Sequence, residues 1–195
     1  MCIRDSTWQL APAVEAVTPP AVFLPGQLER ITGWAFGDEH PGREMVGGLT
    51  VTHAPTLAHQ LDDAWLIDGV LYKGAAVSHL SPRRGRVPHL HARAELERAA
   101  LCCSPAGNRW FGQWLMDDCP LYPLAQGHGP PLTTTLHPGA HAAEYERWLG
   151  LRPVRLRSAW LRRLVLFTDV GQNRDKHRRF RAMCDAVRSL SLIHI

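Results

Sequence analysis

The sequence predicts an α/β chain, with a parallel sheet flanked by helices and a small β-rich region before it. Three observations carry this reading. After residue 99, short apolar runs alternate with amphipathic runs three times, the pattern of strand–helix–strand units that pair in parallel. Residues 7–98 instead hold short apolar runs separated by turn residues, with no helical period. At 195 residues, 45% of them hydrophobic and 21% charged, the chain can fill a core. The expected division is a β-rich region over 7–98 and an α/β domain over 99–190.

Taken in order, Ala21–Leu24 and Leu49–Thr52 read as short strands. Trp65–Ile67 and Val70–Tyr72 flank Asp68-Gly69, a strong hairpin signal because both central residues of the tight turn need positive φ. Residues 81–88 form a basic loop. Ala99–Cys103 reads as a buried strand. Phe111 to about Gln126 reads as a helix that Pro120 and Pro123 bend or shorten. Pro131–Leu136 reads as a strand, and Ala140–Leu149 as a short helix closed by Gly150. Leu164–Thr168 is a buried strand. Arg174–Leu190 is a helix with Phe180, Met183, Cys184, Val187 and Leu190 on one face, and Asn173 as its cap.

Composition excludes several classes. No apolar run approaches the ~18 residues that span a bilayer, and the start lacks a signal-peptide pattern. Five cysteines show neither metal-ligand spacing nor a disulfide framework, as expected of reduced thiols in a cytoplasmic protein. MCIRDS at the start and SLSLIHI at the end resemble translated sequencing-adapter read-through. Residues 1–6 and 191–195 are therefore set aside, and the natural chain is expected to continue past about Ser189. Charge is uneven: residues 152–189 hold eleven Lys or Arg against three Asp, a net of +8, against +4 for the whole chain. The basic character is local and suggests an anionic partner.

Two segments hold the chemistry. In Gly107–Pro120, GNRWFGQWLMDDCP, the spacing of Arg109, Gln113 and Asp117 puts them on one helix face, beside a stripe of Trp110 and Trp114. Rings beside amides and carboxylates suit carbohydrate; a half-buried helix with a polar edge is the plainer alternative. Asp117 and Asp118 point about 100° apart on a helix, so they are not a ready-made acid/base pair. In the second segment, Thr168–Arg181, the chain leaves a strand, turns at Gly171 and enters a basic helix. Backbone N–H groups at that helix start, backed by Arg174, Lys176 and Arg178, can hold phosphate, with Asp169, Gln172 and Asn173 beside them as candidate substrate-binding residues; a solvated basic face is the plainer alternative. No Gly-rich nucleotide fingerprint accompanies them, and without interleaved aromatics nucleic acid is not expected. His89 with His91, and His137 with His141, lack a third ligand; no metal is expected.

Together the two segments resemble glycosyltransferase family 61. GNRWFGQWLMDDCP is similar to that family's H-W-L-hydrophobic-D signature. Residues 163–188 are similar to a later strand–loop–helix of bacterial members, and PAVFLPGQLERITGW to their leading segment. The resemblance covers most of residues 20–189. It implies a GT-B architecture of two Rossmann-like domains, of which this chain holds the acceptor-side half without the C-terminal donor-binding domain. It further implies inverting transfer of a sugar from a nucleotide-sugar donor to a glycan acceptor in bacterial polysaccharide assembly. No cofactor is implied beyond that co-substrate. Peripheral membrane association of the parent enzyme is compatible with it; a transmembrane segment is not expected. Trp114, Leu115 and Asp117 match the W-L-x-D core, while Gln113 stands where the family has His and cannot take a proton at neutral pH. Asp117 is the expected base, with Asp118 second. Arg109, Trp110, Gln113 and Trp114 are expected at the acceptor. Arg174, Lys176 and Arg178 are expected to face anionic groups. The chain alone is expected to transfer no sugar. The alternative is a non-catalytic basic module that docks an anionic polymer or acidic partner, which Gln113 favours.

Overall fold

The computed structural model describes residues 5–33, 46–81 and 94–191, and shows a mixed α/β chain. The strands are β1 (Ser6–Ala11), β2 (Val14–Val17), β3 (Thr50–His53), β4 (Thr56–Ile67), β5 (Val70–Lys73), β6 (Ala76–His79), β7 (Glu95–Leu96), β8 (Ala99–Leu101), β9 (Pro131–Thr133), β10 (Val154–Arg155) and β11 (Ala159–Thr168). The two longer helices are α1 (Ala140–Leu149) and α2 (Arg174–Ser191). Among the described residues, one sheet runs β10-β9-β8-β11-β4-β5-β6, with β1 added beside β4 and β7 beside β11; β2 and β3 pair separately. His89, His91, the start of the chain and most of the 81–88 loop lie outside the described residues.

The sheet is mixed rather than parallel. β10, β9, β8 and β11 pair in parallel, whereas β11–β4, β4–β5, β5–β6 and β1–β4 are antiparallel. The long β4–β11 ladder runs from Ala159 opposite Leu66 to Thr168 opposite Leu57. It joins the regions expected to divide at 98/99 into a single sheet. Sequence periodicity identifies strands but not their partners. Asp5 and Ser6, set aside as foreign, also take part: Asp5 donates its N–H to Gln60 and Ser6 lies opposite Gln60.

The sheet also rolls. β6 and β9 are five strand steps apart, about 24 Å if flat. Yet Ser81 Oγ, just past β6, lies 2.8 Å from Thr134 Oγ1, just past β9. Asn108 reinforces the closure, donating from Nδ2 to Leu80 O at 2.7 Å and to Thr134 Oγ1 at 2.8 Å. One core cluster lies inside this roll, with Leu66, Ala99, Leu132, Leu161 and Leu164 fully buried, and a second packs Ala100 and Cys102 against Leu121, Tyr122 and Ala125 of the helical run and the loop after it. Residues 156–158 alone lead from β10 to β11, three strand positions away, a shorter link than the crossover of a dozen or more residues that joins parallel strands in an open sheet.

Local expectations fare unevenly. Asp68 and Gly69 adopt φ of 47° and 77°, and Ile67 pairs with Val70 across the tight turn. Gly150 ends α1 with φ 65°. Asn173 caps α2, its Oδ1 accepting from the N–H of Asp175 and Lys176. Ala21–Leu24 forms no strand: Val22 is fully exposed, and among the described residues Ala21 makes a single backbone bond, donating to Val46 O at 2.9 Å, with no strand paired beside it. The helix expected from Phe111 to Gln126 ends at Leu121, and Pro120 sits in its tightened last turn.

α2 is fastened by a buried ion pair. Arg179 donates to both carboxylate oxygens of Asp169 at 2.9–3.1 Å and to Pro120 O at 2.6 Å. Asp169 Oδ1 also accepts from Thr56 Oγ1 at 2.6 Å, and Asn173 Nδ2 donates to Thr56 Oγ1 at 2.9 Å. Removing one partner leaves an uncompensated buried charge, which costs about 3–5 kcal/mol. Arg179→Met is therefore expected to lower unfolding stability by that amount in urea titration. The double variant Arg179→Met/Asp169→Leu should recover much of the loss; a single variant as stable as the parent would count against the clamp.

Candidate functional site

The carboxyl ends of β8 and β9 open into a cavity of about 230 Å³. Its wall is built from three pieces. The loop after β8 brings Gly107, Asn108 and Arg109, and the following helical run brings Phe111 and Trp114. The exit of β9 brings Thr133 and Thr135. The start of α1 brings Gly139, Ala140 and His141, with Glu146 and Arg155 below. Phe111 is the centre of an aromatic group, its ring centroid 5.6 Å from Trp114, 5.5 Å from Tyr145 and 6.1 Å from His141. Arg155 pairs with Glu146 and donates to Thr135 O at 2.8 Å, fixing the cavity floor.

Of the expected acceptor residues, Arg109 and Trp114 line this cavity. Trp110 and Gln113 are exposed and do not. Arg109, Gln113 and Asp117 do not share a helix face, because Trp110 is extended (φ −123°, ψ 123°) and the helical run begins only at Phe111. Arg109 instead lies over the Trp110 ring, 4.9 Å from its centroid. Further on, the run widens: the N–H of Cys119 bonds Trp114 O, five residues back. Such wide turns recur at functional sites. Here it sends the two aspartates to different surroundings, neither on the cavity wall.

Asp117 meets Lys176. The Lys176 Nζ, buried at 2% exposure, donates to Asp117 Oδ1 at 2.6 Å and to Asp169 O at 2.9 Å. Lys176 is thus an internal counterion rather than a group facing an anionic ligand. Asp169 and Asn173, expected to bind substrate, are buried in the clamp of α2. Arg174 and Arg178 stand on the exposed face of α2 with His177 and Arg181, apart from the cavity, and Arg178 pairs with Asp175. Gln172 is exposed in the preceding loop. The second segment therefore divides into a buried lock and an outer basic surface.

Asp118 is the unusual group. It is 1% exposed, and one carboxyl oxygen accepts the Ser104 N–H at 3.1 Å while Oδ1 has no partner. Burial pushes its carboxyl up to about 7, opposed by the Ser104 hydrogen bonds. Gly107 presses directly on it: a Cβ there would lie 1.9 Å from Asp118 Oδ2, so only glycine fits. Asp118 therefore seats the loop that carries Asn108 and Arg109. Burial likewise raises the Cys102, Cys103 and Cys119 thiols, so none offers a ready thiolate.

Sequence reasoning missed Asn108, Glu146, Arg155 and Arg179, and treated His141 as incidental. Asn108 beside Gly107 carried a turn signal; the Glu146–Arg155 contact joins a helix to a strand and leaves no local trace. Among the described residues, no three His, Cys, Asp or Glu side chains gather as a metal site, and no helix is long and apolar enough to cross a membrane. Comparison of the chain with known protein families, with curated proteins and with solved structures finds no match.

Asp118 makes stability depend on pH in a defined direction. Its folded value of about 7 lies above the ordinary 3.8, so the folded chain holds this proton more tightly than the unfolded one. The group thus favours folding at acid pH, and that contribution is lost as pH rises from about 4 through 7. Asp118→Asn should match the parent near pH 4, gain on it up to pH 7, and keep a constant lead above. Urea titrations at each pH check this; a gap independent of pH would count against it.

Proposed function

We propose that this chain is the acceptor-side half of an inverting glycosyltransferase, which moves a sugar from a nucleotide-sugar donor to a glycan acceptor. The observation that carries the reading is the cavity itself. Aromatic faces of Phe111 and Trp114 stand beside Arg109, Thr135 and His141, a mixture that stacks sugar C–H faces and satisfies hydroxyls. Strand order supports it. The chain steps from β8 to β9 to β10, then returns to the opposite side of β8 as β11. That order, 3-2-1-4, is shared with open α/β sheets, whose ligands sit outside the carboxyl ends, although here the step from β10 to β11 is a three-residue link in a rolled sheet and not a helical crossover. In this reading the antiparallel β4–β6 ribbon is an extension of a GT-B half-domain, and the enzyme is cytoplasmic.

The acceptor hydroxyl attacks the anomeric carbon as the nucleoside diphosphate departs, and its proton passes to a base. Among the cavity groups, Glu146 is engaged by Arg155, which leaves His141 as the proton acceptor. Asp117 and Asp118 become positioning residues, one holding Lys176 and the other the 104–109 loop.

The test is glycan binding to the chain, followed by tryptophan fluorescence and saturation-transfer NMR with methyl glycosides and short oligosaccharides. Glycans should bind, and Phe111→Ala should weaken them roughly five- to tenfold through lost ring contact. In the parent enzyme carrying both halves, His141→Gln should lower kcat at least ~100-fold with KM little changed. Absence of glycan binding, with nucleotide sugar bound at the cavity instead, would overturn the reading.

A further inference from the structure

The charge around the cavity narrows the choice of acceptor. Three charged side chains line it: Arg109, Arg155 and Glu146. Arg155 and Glu146 neutralise one another on the floor. Arg109 makes no ion pair among the described residues; its guanidinium rests on Trp110 at the rim, with its donors free for a ligand. The opposite rim adds no negative charge. α1 starts there without a side-chain cap and without an acidic residue in its first turn. Nothing on the lining therefore repels an anion, and one cation awaits a partner.

We propose that the cavity takes an acidic sugar, a uronic acid unit whose ring lies against Phe111 and Trp114 and whose carboxylate meets the Arg109 guanidinium. This rests on the sugar-binding reading of the cavity and specifies its substrate class. The cavity's volume of about 230 Å³ limits the buried part to about one ring. A guanidinium matches a carboxylate with two parallel N–H donors, a geometry that a neutral hydroxymethyl group cannot use. The Trp110 ring beneath the guanidinium restrains it before ligand arrives, so less side-chain freedom is lost on binding. Specificity between a uronic acid and the corresponding neutral hexose then falls to one exposed residue, Arg109.

The experiment titrates the chain with methyl β-glucuronide, methyl β-glucoside and inorganic phosphate, read by saturation-transfer NMR competition at low and high salt. The glucuronide should bind about tenfold more tightly than the glucoside, as expected for one charge-assisted contact. Arg109→Gln should abolish that preference, weakening the glucuronide about tenfold more than the glucoside, and salt should weaken the glucuronide alone. Arg109 is exposed, so the variant's thermal midpoint should match the parent's and exclude a folding defect. Equal affinity for the two glycosides would overturn the acidic-sugar proposal while leaving a neutral-sugar site intact. Binding of neither glycoside would sink the carbohydrate reading as well. Phosphate competing as well as the glucuronide would also overturn the proposal, since it would show an anion site that does not read the ring.

Discussion

The pair of Asp169 and Arg179 is the contact on which the arrangement depends. It sits where β11 ends, and from there it reaches the helical run and the start of β4. Arg179 holds the helical run through Pro120 O, and Asp169 holds the start of β4 through Thr56. Asn173 extends the network to Ala54 and caps α2 at the same time. Burying two charges is costly, and attraction repays it only when the remaining donors and acceptors are satisfied. Here both Asp169 oxygens accept and the Arg179 fork is fully used. With α2 fixed, Lys176 is delivered to Asp117, so the helical run is held from two directions.

Asp118 shows the opposite condition. Its neighbour Asp117 is paired, but Asp118 keeps one oxygen without a partner in a buried site. Native structures seldom tolerate this, and where they do the group commonly serves function or stores strain. Its place beneath Gly107 gives it a mechanical role. The loop that presents Arg109 and Asn108 rests on a carboxyl whose charge changes near neutral pH. Asn108 in turn ties that loop to Leu80 and Thr134, where the rolled sheet closes. The cavity wall is thus supported from the sheet on one side and from the helical run on the other.

How much of this could be read from residues alone depends on the range of each interaction. The hairpin at Asp68-Gly69, the cap at Asn173 and the stop at Gly150 were legible because each is decided within a few residues by φ or by a side chain reaching its own backbone. The parallel order of β8, β9 and β11 was partly legible from alternation. The join between β4 and β11 was not, since periodicity carries no partner information. Lys176 and Asp169 looked like ligand groups because exposed and buried charges have the same letters. Asp117, 59 residues earlier in the chain, together with the Asp169 carbonyl, holds Lys176 inward. His141 is the converse case: four residues from His137 it suggested nothing, and the fold brings it beside Phe111.

Gln113 and His141 bear on one another. In the resembled signature, a histidine precedes the W-L-x-D core; here that position is Gln113, exposed on the helical run and outside the cavity. A base at position 113 would have to act from beyond the wall formed by Phe111 and Trp114. His141 enters from the opposite wall, on the first turn of α1, with its ring 6.1 Å from Phe111. The wide turn after Trp114 re-aims the residues that follow it, Asp117 toward Lys176 and Asp118 toward Ser104, while Gln113 lies before it, exposed. On the proposed reading, with His141 as the base, Gln113 outside the cavity does not count against catalysis.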